Sequence, residues 1–355
     1  MRILHCIATM GEGGAERQLV YLAEAQVRRG HEVHVALLRD GPNSHRLRAS
    51  GAVVHLLRHA GNRDLRIVVR LARLIGAVRP DVVQNWLPQM DVMGGLAATL
   101  RRVRWIATER SRAEAYPSSP LVHLRVMLVR RARMVVANSG GGAQYWRSVA
   151  PRVSTVVVPN AVPVDDLRHV APADLDGVRR PVILYAGRLS AEKNVATILE
   201  AMAREPLRQA SLVVCGSGPL RAALEQRARD LGIADRVTFA GFVDPLTPLL
   251  KAADVFVSAS FFEGHPNAVL EALACGCPVV VSDIHAHREF LNEACARFFD
   301  ATDVDALAAA VAAALGDRSG TAARVAEARN VVTMLDPVRV ADLYDDVYRR
   351  VASAT

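Results

Sequence analysis

Short runs of apolar, often β-branched residues alternate with amphipathic helical segments along nearly the whole chain. This alternation predicts parallel sheets covered by helices on both faces, because strands buried on both faces are almost continuously apolar. We therefore predict an α/β fold with doubly wound parallel sheets. The predicted strands are "RILHCIA", "EVHVALL", "AVVHLL", "VVQNW", "RWIAT", "MVVANS" and "STVVVPN" in the first half, and "VILYAG", "SLVVCG", "RVTFAG", "DVFVSAS", "PVVVSD" and "ARFFD" in the second.

The strand and helix pattern stops once and then starts again. The interruption is "VPNAVPVDDLRHVAPADLDGVRRP", which is rich in Pro and Asp and predicts a linker. We predict an N-terminal domain over 1–168, a linker over 169–180 and a C-terminal domain over 181–337, with a helix over 338–355 that could pack back on the N-terminal domain. A length of 355 residues fits two such domains. Ligands of doubly wound sheets bind at the carboxyl ends of the strands, so we expect an interdomain cleft there.

The basic charge of the chain lies in its first half. Residues 1–170 contain 25 Arg and 12 Asp and Glu, whereas residues 171–355 contain 17 Arg, 2 Lys and 24 Asp and Glu. A basic domain fits an anionic membrane surface, an anionic lipid or sugar-phosphate substrate, or an arginine-rich solvated surface. No zinc-finger, RNP or basic-zipper pattern is present in the sequence, so we expect no nucleic-acid partner.

The opening "MRILHCIATM" predicts a first strand rather than a signal peptide, because its apolar run is short. We expect a cytoplasmic protein, with peripheral contact at the inner face of the cell membrane as an open alternative. No apolar run approaches the roughly 18 residues of a membrane-spanning helix. The cysteines are odd in number, and Cys275-Gly-Cys277 lacks the spacing of metal or redox pairs, so we predict small core residues.

Four strand ends of the second half have polar or glycine-rich sequences. In "YAGRLSAEKN", Arg188 follows a strand and Lys193 lies near the start of a helix. Two cations beside helix-terminal amides fit a diphosphate, although a solvated loop has the same appearance. In "VVCGSGPL", Gly216 and Gly218 allow either a close backbone approach or simply a tight turn.

The other two strand ends are "FAGFVD" and "FFEGHPNAVLEALACGCPVVVSD". In the first, Phe242 and Val243 could face a base or only pack. In the second, Glu263 lies on a loop, and Glu271 lies about one turn into a short apolar helix whose first amides could bind an anion. The carboxylate of Glu271 could accept hydrogen bonds from a ribose diol, whereas the alternative is a solvent-facing side chain.

Together, "GRLSAEKN", "GSGPL", "GFV" and "FFEGHPNAVLEALACGCPVVVSD" resemble the retaining nucleotide-sugar glycosyltransferases of family 4, which have the GT-B fold of two facing Rossmann-like domains. The amino-terminal "GEGGAERQLVYLAEAQVRRGHEV" is similar to the first loop and helix of that family, so the resemblance spans nearly the whole chain. Its most specific signal is a pair of glutamates separated by seven residues, Glu263 and Glu271.

The resemblance implies a role for each of these residues. Arg188 and Lys193 would bind the donor diphosphate, Glu271 the ribose and Glu263 the donor sugar. The remaining implied contacts are Asn267, Ala268, Val269 and Leu270 with the phosphates, Phe242 and Val243 with the base, Gly216 and Gly218 in the donor pocket, and Gly13 and Gly14 near the donor phosphate and the acceptor.

One position departs from the family pattern. Many members have a histidine after the fifth strand, but "WIATERSRAE" has Glu109 and Arg110 there. A histidine-assisted mechanism is therefore not implied. Arg110, with Arg112 nearby, could bind an acceptor phosphate, and the basic first half favours an anionic acceptor such as a polyprenyl-phosphate-linked glycan.

The resemblance also implies a mechanism, in which attack on the front face of the sugar retains its anomeric configuration and the leaving phosphate accepts the acceptor proton. The triplets Asp174-Leu-Asp176 and Asp303-Val-Asp305 look like turn and N-cap residues rather than metal ligands. Because Arg188, Lys193 and a helix N-terminus can stabilise the leaving diphosphate, we predict activity without a metal or other cofactor.

Three other functions remain open at this stage. The first is a nucleotide-sugar epimerase of the same architecture, which would form product without an acceptor. The second is a non-catalytic nucleotide-sugar-binding protein. A nicotinamide dehydrogenase fits least, because Gly11-Glu-Gly13-Gly14 lacks the third glycine of the dinucleotide motif at its proper spacing. We expect a nucleoside-diphosphate sugar donor, with uridine as the commonest family base, and a glycan acceptor.

Overall fold

The computed structural model describes residues 1–62, 64–111, 119–175 and 177–353. Backbone contacts divide the chain into two compact units, one formed by Met1–Ala161 with Leu335–Thr355 and the other by Val162–Met334. Each unit contains one parallel β-sheet with helices packed on it. The predicted α/β class is confirmed, and so are all the predicted strands.

The described residues of the first unit form seven strands and six helices before residue 161. Its strands are β1 (Arg2–Thr9), β2 (Glu32–Arg39), β3 (Val53–Leu56), β4 (Val82–Trp86), β5 (Trp105–Glu109), β6 (Met134–Ala137) and β7 (Ser154–Val157). Its helices are α1 (Gly14–Arg28), α2 (Ser44–Ala49), α3 (Arg66–Val78), α4 (Leu87–Leu100), α5 (Pro120–Val129) and α6 (Gly140–Val149). The sheet order is β3-β2-β1-β4-β5-β6-β7, and every neighbouring pair is parallel.

The central strands of this sheet are buried on both faces. Strands β4 and β5 are buried along their full length. In β1, Ile3 and Ile7 belong to one apolar cluster, and Leu4 and Cys6 belong to a second. Successive side chains of a strand point to opposite faces, so the two clusters lie on opposite faces of the sheet. This double burial explains the nearly continuous apolar runs in the sequence.

Six strands are formed by the part of the second unit that the structure describes. They are β8 (Val182–Ala186), β9 (Ser211–Cys215), β10 (Val237–Gly241), β11 (Val255–Ser258), β12 (Val279–Ser282) and β13 (Arg297–Phe299). The helices are α7 (Val164–Arg168), α8 (Val195–Met202), α9 (Arg221–Asp230), α10 (Thr247–Ala252), α11 (Asn267–Ala274), α12 (His285–Arg288), α13 (Val304–Gly316) and α14 (Arg318–Thr333). The sheet order is β10-β9-β8-β11-β12-β13, again with parallel neighbours.

The segment predicted as a linker, 169–180, is grouped with the second unit. The amide of Ala173 donates to the carbonyl of Pro248 at 2.8 Å. The ammonium of Lys251 donates to the carbonyls of Arg168 and Val170, both at 2.7 Å. These bonds hold residues 168–173 against α10, so the boundary between the units lies earlier, at 161/162.

The last helix, α15 (Pro337–Ser353), packs on the first unit through α1 and β4. Its Tyr348 hydroxyl accepts a hydrogen bond from Gln26 Nε2 at 2.9 Å and donates one to Gln84 Oε1. Gln26 Oε1 in turn lies 2.9 Å from His5 Nε2. Burial lowers the pKa of His5 to about 4, so its ring is neutral at pH 7. A buried chain of polar groups therefore joins α15 to β1.

Candidate active site

The residues predicted to bind the donor follow neighbouring strands of the second sheet. Phe242 follows β10, Gly216 follows β9, Arg188 follows β8 and Glu263 lies on the loop after β11. These four strands are consecutive in the sheet order. Because the strands are parallel, all four loops leave the same edge of the sheet.

Lys193 and Glu263 form an ion pair at this edge. Lys193 Nζ lies 2.6 Å from Glu263 Oε1, and the Ser260 hydroxyl donates to the same oxygen at 2.7 Å. The Glu263 side chain is 11% exposed, and that of Lys193 is 23% exposed. Burial pushes the pKa of Glu263 upward, but Lys193 and Ser260 outweigh this effect and lower the pKa below its usual value. Glu263 is therefore a fixed, ionised carboxylate.

The backbone around Lys193 is held by Asn194, a residue that the sequence reasoning did not select. Asn194 has a left-handed conformation with φ of 53° between a 3-10 turn (Ala191–Lys193) and α8. Its Nδ2 donates to the carbonyls of Ala259 at 3.1 Å and Ala301 at 2.8 Å. Asparagine tolerates this conformation better than most residues, so an Asn directly after Lys193 was an available signal.

Arg188 differs from Lys193 in its surroundings. Its side chain is exposed and has no carboxylate partner within the described part of the chain. Its backbone is fixed, because the Tyr185 hydroxyl donates to the Arg188 carbonyl at 3.0 Å. One of the two predicted cations thus holds a carboxylate, and the other is open to solvent and to a ligand.

Gly216 and Gly218 are required by backbone packing between two of these loops. A Cβ atom at Gly216, which has φ of 145°, would lie 1.9 Å from the Gly187 carbonyl oxygen. A Cβ at Gly218 would lie 2.4 Å from the Leu189 carbonyl oxygen. A close approach of the backbone of the neighbouring loop therefore accounts for both glycines, and their contact with a donor stays a prediction.

Phe242 and Val243 follow Gly241, which has φ of 74° at the end of β10. The Phe242 side chain is 39% exposed, whereas Val243 is half-buried. An exposed phenylalanine at this edge is available to stack on a base.

Glu271 is buried in α11, with 8% of its surface exposed. The solvent-facing alternative is therefore wrong. Val269 and Leu270 are also buried, and Asn267 and Ala268 are half-buried. The Leu270 amide donates to the Pro266 carbonyl at 3.2 Å, the first bond of the helix, so it is not available to a phosphate. The amides of Ala268 and Val269 precede that bond and remain candidates.

His287, on α12, is a second residue that the sequence reasoning missed. It is fully buried, and its Nδ1 donates to the Ser282 carbonyl at 2.7 Å. Its Nε2 has no hydrogen-bond partner among the described residues. Burial lowers the pKa of His287, although the negative charge of Glu263 opposes this effect. A histidine inside "DIHAHREF" has no distinguishing pattern, so the sequence alone could not select it.

In the first unit, the predicted glycines lie where β1 leads into α1. Gly13 is the N-cap residue of α1, and Gly14 is its first residue. A Cβ at Gly13 would lie 2.2 Å from Glu16 Oε2. Glu16 is 7% exposed and lies in the first turn, where a carboxylate interacts favourably with the helix dipole. Gly13 therefore lets the Glu16 carboxylate approach the N-terminal end of the helix.

Glu109 lies in a buried ionic cluster rather than at the surface. Its Oε2 is 3.0 Å from Arg125 Nη2 and accepts a hydrogen bond from Trp146 Nε1 at 2.9 Å. Arg125 Nε also donates to Asp91 Oδ2 at 2.8 Å, and all three charged groups are at most 1% exposed. Burial raises the pKa of Asp91 to about 7. A proton on Asp91 makes this group of two carboxylates and one guanidinium electrically neutral.

Glu109 in turn fixes the backbone of Arg110, because its Oε1 accepts hydrogen bonds from the amides of Arg110 and Ser111, both at 2.9 Å. The Arg110 guanidinium donates to Asn160 at 2.7 Å and to the Tyr344 hydroxyl at 2.9 Å. Arg110 is half-buried, and its guanidinium carbon lies 4.4 Å from the centroid of the Trp86 ring. The predicted acceptor contact of Arg112 lies outside the described residues.

The remaining predicted features concern metals, cysteines and membranes. Asp303 caps α13 by accepting from the Ala306 amide at 2.8 Å, and Asp305 binds Arg204; Asp176 lies outside the described residues. In the described part of the chain, no group of three or more His, Cys, Asp or Glu side chains could hold a metal ion. All five cysteines are free, and Cys275 alone is not buried. None of the described helices is both long and apolar enough to cross a membrane.

Known proteins share this pattern of strands and loops. A family model described as "Glycosyltransferase Family 4" matches residues 12–166, and one described as "Glycosyl transferases group 1" matches residues 180–317. The chain is 32% identical over 291 residues to the lipopolysaccharide core biosynthesis glycosyltransferase LpsE of Rhizobium meliloti. The matched region covers 79% of each protein. The chain belongs to the family 4 glycosyltransferases.

This glycosyltransferase has a further relative that acts on lipid-linked glycans. A Campylobacter jejuni enzyme named "GalNAc-alpha-(1->4)-GalNAc-alpha-(1->3)-diNAcBac-PP-undecaprenol alpha-1,4-N-acetyl-D-galactosaminyltransferase" is 28% identical over 285 residues, 77% of each chain. Among solved structures, Anabaena Alr3699/HepE in complex with UDP-glucose has a TM-score of 0.87 at 22% identity, covering 98% of this chain and 99% of that one. The structural likeness shows that the fold is GT-B.

Proposed function

We propose that this glycosyltransferase moves a hexosyl group from a uridine-diphosphate sugar to a hydroxyl of an anionic, lipid-linked or cell-envelope glycan, with retention of configuration and without a metal ion. The observation that carries the proposal is the half-buried ion pair of Lys193 and Glu263, formed between the loop after β8, which also contains Arg188, and the loop that leads from β11 into α11.

The two cations would stabilise the departing diphosphate. An ammonium has three N–H donors, so Lys193 can hold Glu263 and a phosphate oxygen at the same time. Arg188, which is exposed, can bind a second phosphate oxygen in a bidentate manner. The early amides of α11 add partial positive charge. Cations and amides in fixed positions can replace the metal ion that other glycosyltransferases use.

Glu263 would orient the donor sugar rather than attack it. Its Oε1 already accepts hydrogen bonds from Lys193 and Ser260, and its Oε2 has no hydrogen-bond partner among the described residues. An ionised carboxylate with one open oxygen can accept hydrogen bonds from sugar hydroxyls. Its bound cation reduces its strength as a nucleophile, which supports front-face transfer without a covalent intermediate.

Different observations support the proposed identity of the donor and that of the acceptor. The exposed Phe242 offers a stacking surface for a base, and UDP-glucose is the ligand of the Anabaena structure. An undecaprenyl-diphosphate glycan is named for the Campylobacter relative and lipopolysaccharide core biosynthesis for the Rhizobium one, which supports an anionic envelope glycan as acceptor. The half-buried Arg110 guanidinium is the side chain in the first unit that we expect to contact acceptor phosphate.

The test is a transfer assay with a panel of UDP and GDP sugars and undecaprenyl-diphosphate-linked saccharides, with and without EDTA. We expect product with a UDP sugar, unchanged rates in EDTA, and retained configuration by NMR. Glu263→Gln should lower kcat at least 100-fold, whereas Glu225→Gln, which removes a half-buried carboxylate of α9 that is paired with Arg221, should not change it. Donor isomerisation without acceptor would instead indicate an epimerase, and donor binding without turnover a binding protein.

A further inference from the structure

A chain of hydrogen bonds leads from Glu263 to His287, a residue that the proposed transfer reaction does not use. The Ser260 hydroxyl donates to Glu263 Oε1 at 2.7 Å, and the Ser282 hydroxyl donates to the Ser260 carbonyl at 2.6 Å. His287 Nδ1 donates to the Ser282 carbonyl at 2.7 Å. The chain therefore joins the loop after β11 to the end of β12 and to α12.

Each serine contributes two groups to this chain. The carbonyl of Ser260 accepts a hydrogen bond and its hydroxyl donates one, and the same holds for Ser282. Ser260, Ser282 and His287 are at most 1% exposed, so the loss of any one bond leaves a buried polar group unsatisfied. A shift of the Ser282 backbone is therefore passed on to Ser260, and from Ser260 to Glu263.

The imidazole ring of His287 acts on Ser282. A carbonyl oxygen can only accept a hydrogen bond, so the ring hydrogen lies on Nδ1. Burial lowers the pKa of His287, so the ring is neutral at pH 7 and Nε2 carries no hydrogen. Nε2 has no hydrogen-bond partner among the described residues, and within the same part of the chain the ring bonds to Ser282 alone. The described hydrogen bonds of this ring thus all hold the end of β12.

The Ser260 hydroxyl in turn decides how the Glu263 carboxylate is oriented. The last torsion of a glutamate side chain has a broad, twofold preference, so a contact with Lys193 alone would leave either oxygen able to take it. The hydroxyl of Ser260 is a second donor to Oε1, at 2.7 Å, beside Lys193 Nζ at 2.6 Å. Two donors fix Oε1, and Oε2, which has no hydrogen-bond partner in the described ranges, is left for a ligand.

We propose that His287 is a positioning residue for glycosyl transfer, which holds Ser282 and Ser260 so that Glu263 presents Oε2 to the donor sugar. This inference rests on the proposed orienting role of Glu263. His287 acts through Glu263 and not on the reacting atoms. A displacement of about 1 Å in an orienting group can lower a rate on the order of 100-fold. The diphosphate is assigned to the two cations, so loss of the chain should lower kcat more than it raises the KM for the donor.

The test compares substitutions of His287 in the full chain. His287→Leu removes the Nδ1 donor, whereas the side-chain amide introduced by His287→Asn can still donate to the Ser282 carbonyl. We expect His287→Leu to lower kcat at least roughly tenfold with a donor KM within about threefold of the wild type, and His287→Asn to recover most of the loss. His285→Leu, the same change at an exposed histidine of α12, should leave both constants unchanged. Wild-type kcat in His287→Leu, or no recovery in His287→Asn, would overturn the inference.

A double-mutant cycle with Glu263 separates positioning from general damage. In the Glu263→Ala background, His287→Leu should lower kcat by less than about twofold further, because the group through which it acts is already lost. Ser282→Ala breaks the chain at its middle and removes a single oxygen, so it carries the same test if His287→Leu does not fold. A full additional loss in the Glu263→Ala background would contradict the inference, because the histidine would then act by another route.

A measurement without turnover keeps failure of this inference apart from failure of the proposed function. In crystal structures of His287→Leu and Ser282→Ala, the Ser260 hydroxyl and Glu263 Oε1 should lie about 1 Å farther apart than 2.7 Å, whereas His285→Leu should keep the contact. An unchanged contact in both chain variants overturns the inference whatever the activity. If the contact is lost but Glu263→Ala transfers sugar at the wild-type rate, the proposed function of Glu263 is wrong and the positioning chain stands.

Discussion

Lys193 Nζ and Glu263 Oε1, 70 positions apart in the chain, lie 2.6 Å apart and close the edge where β8 and β11 end. This ion pair links the loop after β8 to the loop after β11. The exposed cation Arg188 lies on the same loop as Lys193, and α11 follows the loop that contains Glu263. The stability of this edge of the sheet and the proposed chemistry therefore depend on the same ion pair.

Replacement of Lys193 by Met should destabilise the second unit in a pH-dependent way. Because the pKa of Glu263 is lowered in the folded state, the pair stabilises the fold above the unfolded pKa of a glutamate and loses this effect as the pH falls through the folded pKa. We expect a loss of about 2 kcal/mol at pH 7.5, which shrinks toward pH 4. Amide hydrogen exchange of peptides from β8 and β11 measures this loss of stability at each pH.

The other lysine of the chain provides the control. Lys251 donates to the carbonyls of Arg168 and Val170, which do not titrate. Lys251→Met should therefore destabilise the unit by a similar amount at both pH values. A loss for Lys193→Met that is equally independent of pH would contradict the assigned role of Glu263.

Gly216→Ala should be far more damaging than an alanine at another left-handed glycine. Gly216 needs both its φ of 145° and the space that a Cβ would take from the Gly187 carbonyl, whereas Gly232 has φ of 67° and open space around it. We expect about 3 kcal/mol or more of destabilisation for Gly216→Ala and about 1 kcal/mol for Gly232→Ala. Amide hydrogen exchange of β9 measures the destabilisation by each variant. Equal destabilisation by the two variants would contradict the packing explanation.

Tyr348→Phe should destabilise the first unit by about 2 to 4 kcal/mol, because it leaves buried groups of Gln26 and Gln84 without a partner. Tyr344→Phe, which loses only the bond from half-buried Arg110, should cost about 1 kcal/mol. All three tryptophans, Trp86, Trp105 and Trp146, belong to this unit, so fluorescence during urea unfolding follows it selectively. A smaller effect for Tyr348 than for Tyr344 would contradict the buried chain.

Asp91→Asn should change how stability varies with pH. The folded pKa of Asp91 is raised to about 7, so between roughly pH 4 and 7 the folded state holds a proton that the unfolded state has lost. Stability of the wild type therefore falls as the pH rises through this range. The variant should lack that slope. Its free energy of unfolding should therefore increase relative to that of the wild type between pH 5 and pH 8. Asp165→Asn, an exposed change on α7, should keep the wild-type slope.

The sequence predicted the strands and the family because both depend on local patterns. Apolar runs identify the buried strands, and the positions of Glu263 and Glu271 follow from spacing within one stretch. The burial of Glu109 could not be predicted, since Arg125 and Asp91, which surround it, are distant in sequence. The pairing of Lys193 with Glu263 was missed for the same reason, as it depends on the neighbouring order of β8 and β11.

The position of Tyr348 also has a consequence for biosynthesis. The first unit contains the first 161 residues, yet Gln26 Nε2 and Gln84 Oε1 acquire their hydrogen bonds with Tyr348 only from α15. At about 5 to 20 residues per second, a ribosome needs roughly ten to forty seconds to make the intervening chain. The half of the protein that emerges first is therefore the half that is completed last, and it waits in an unfinished form while the second unit is synthesised.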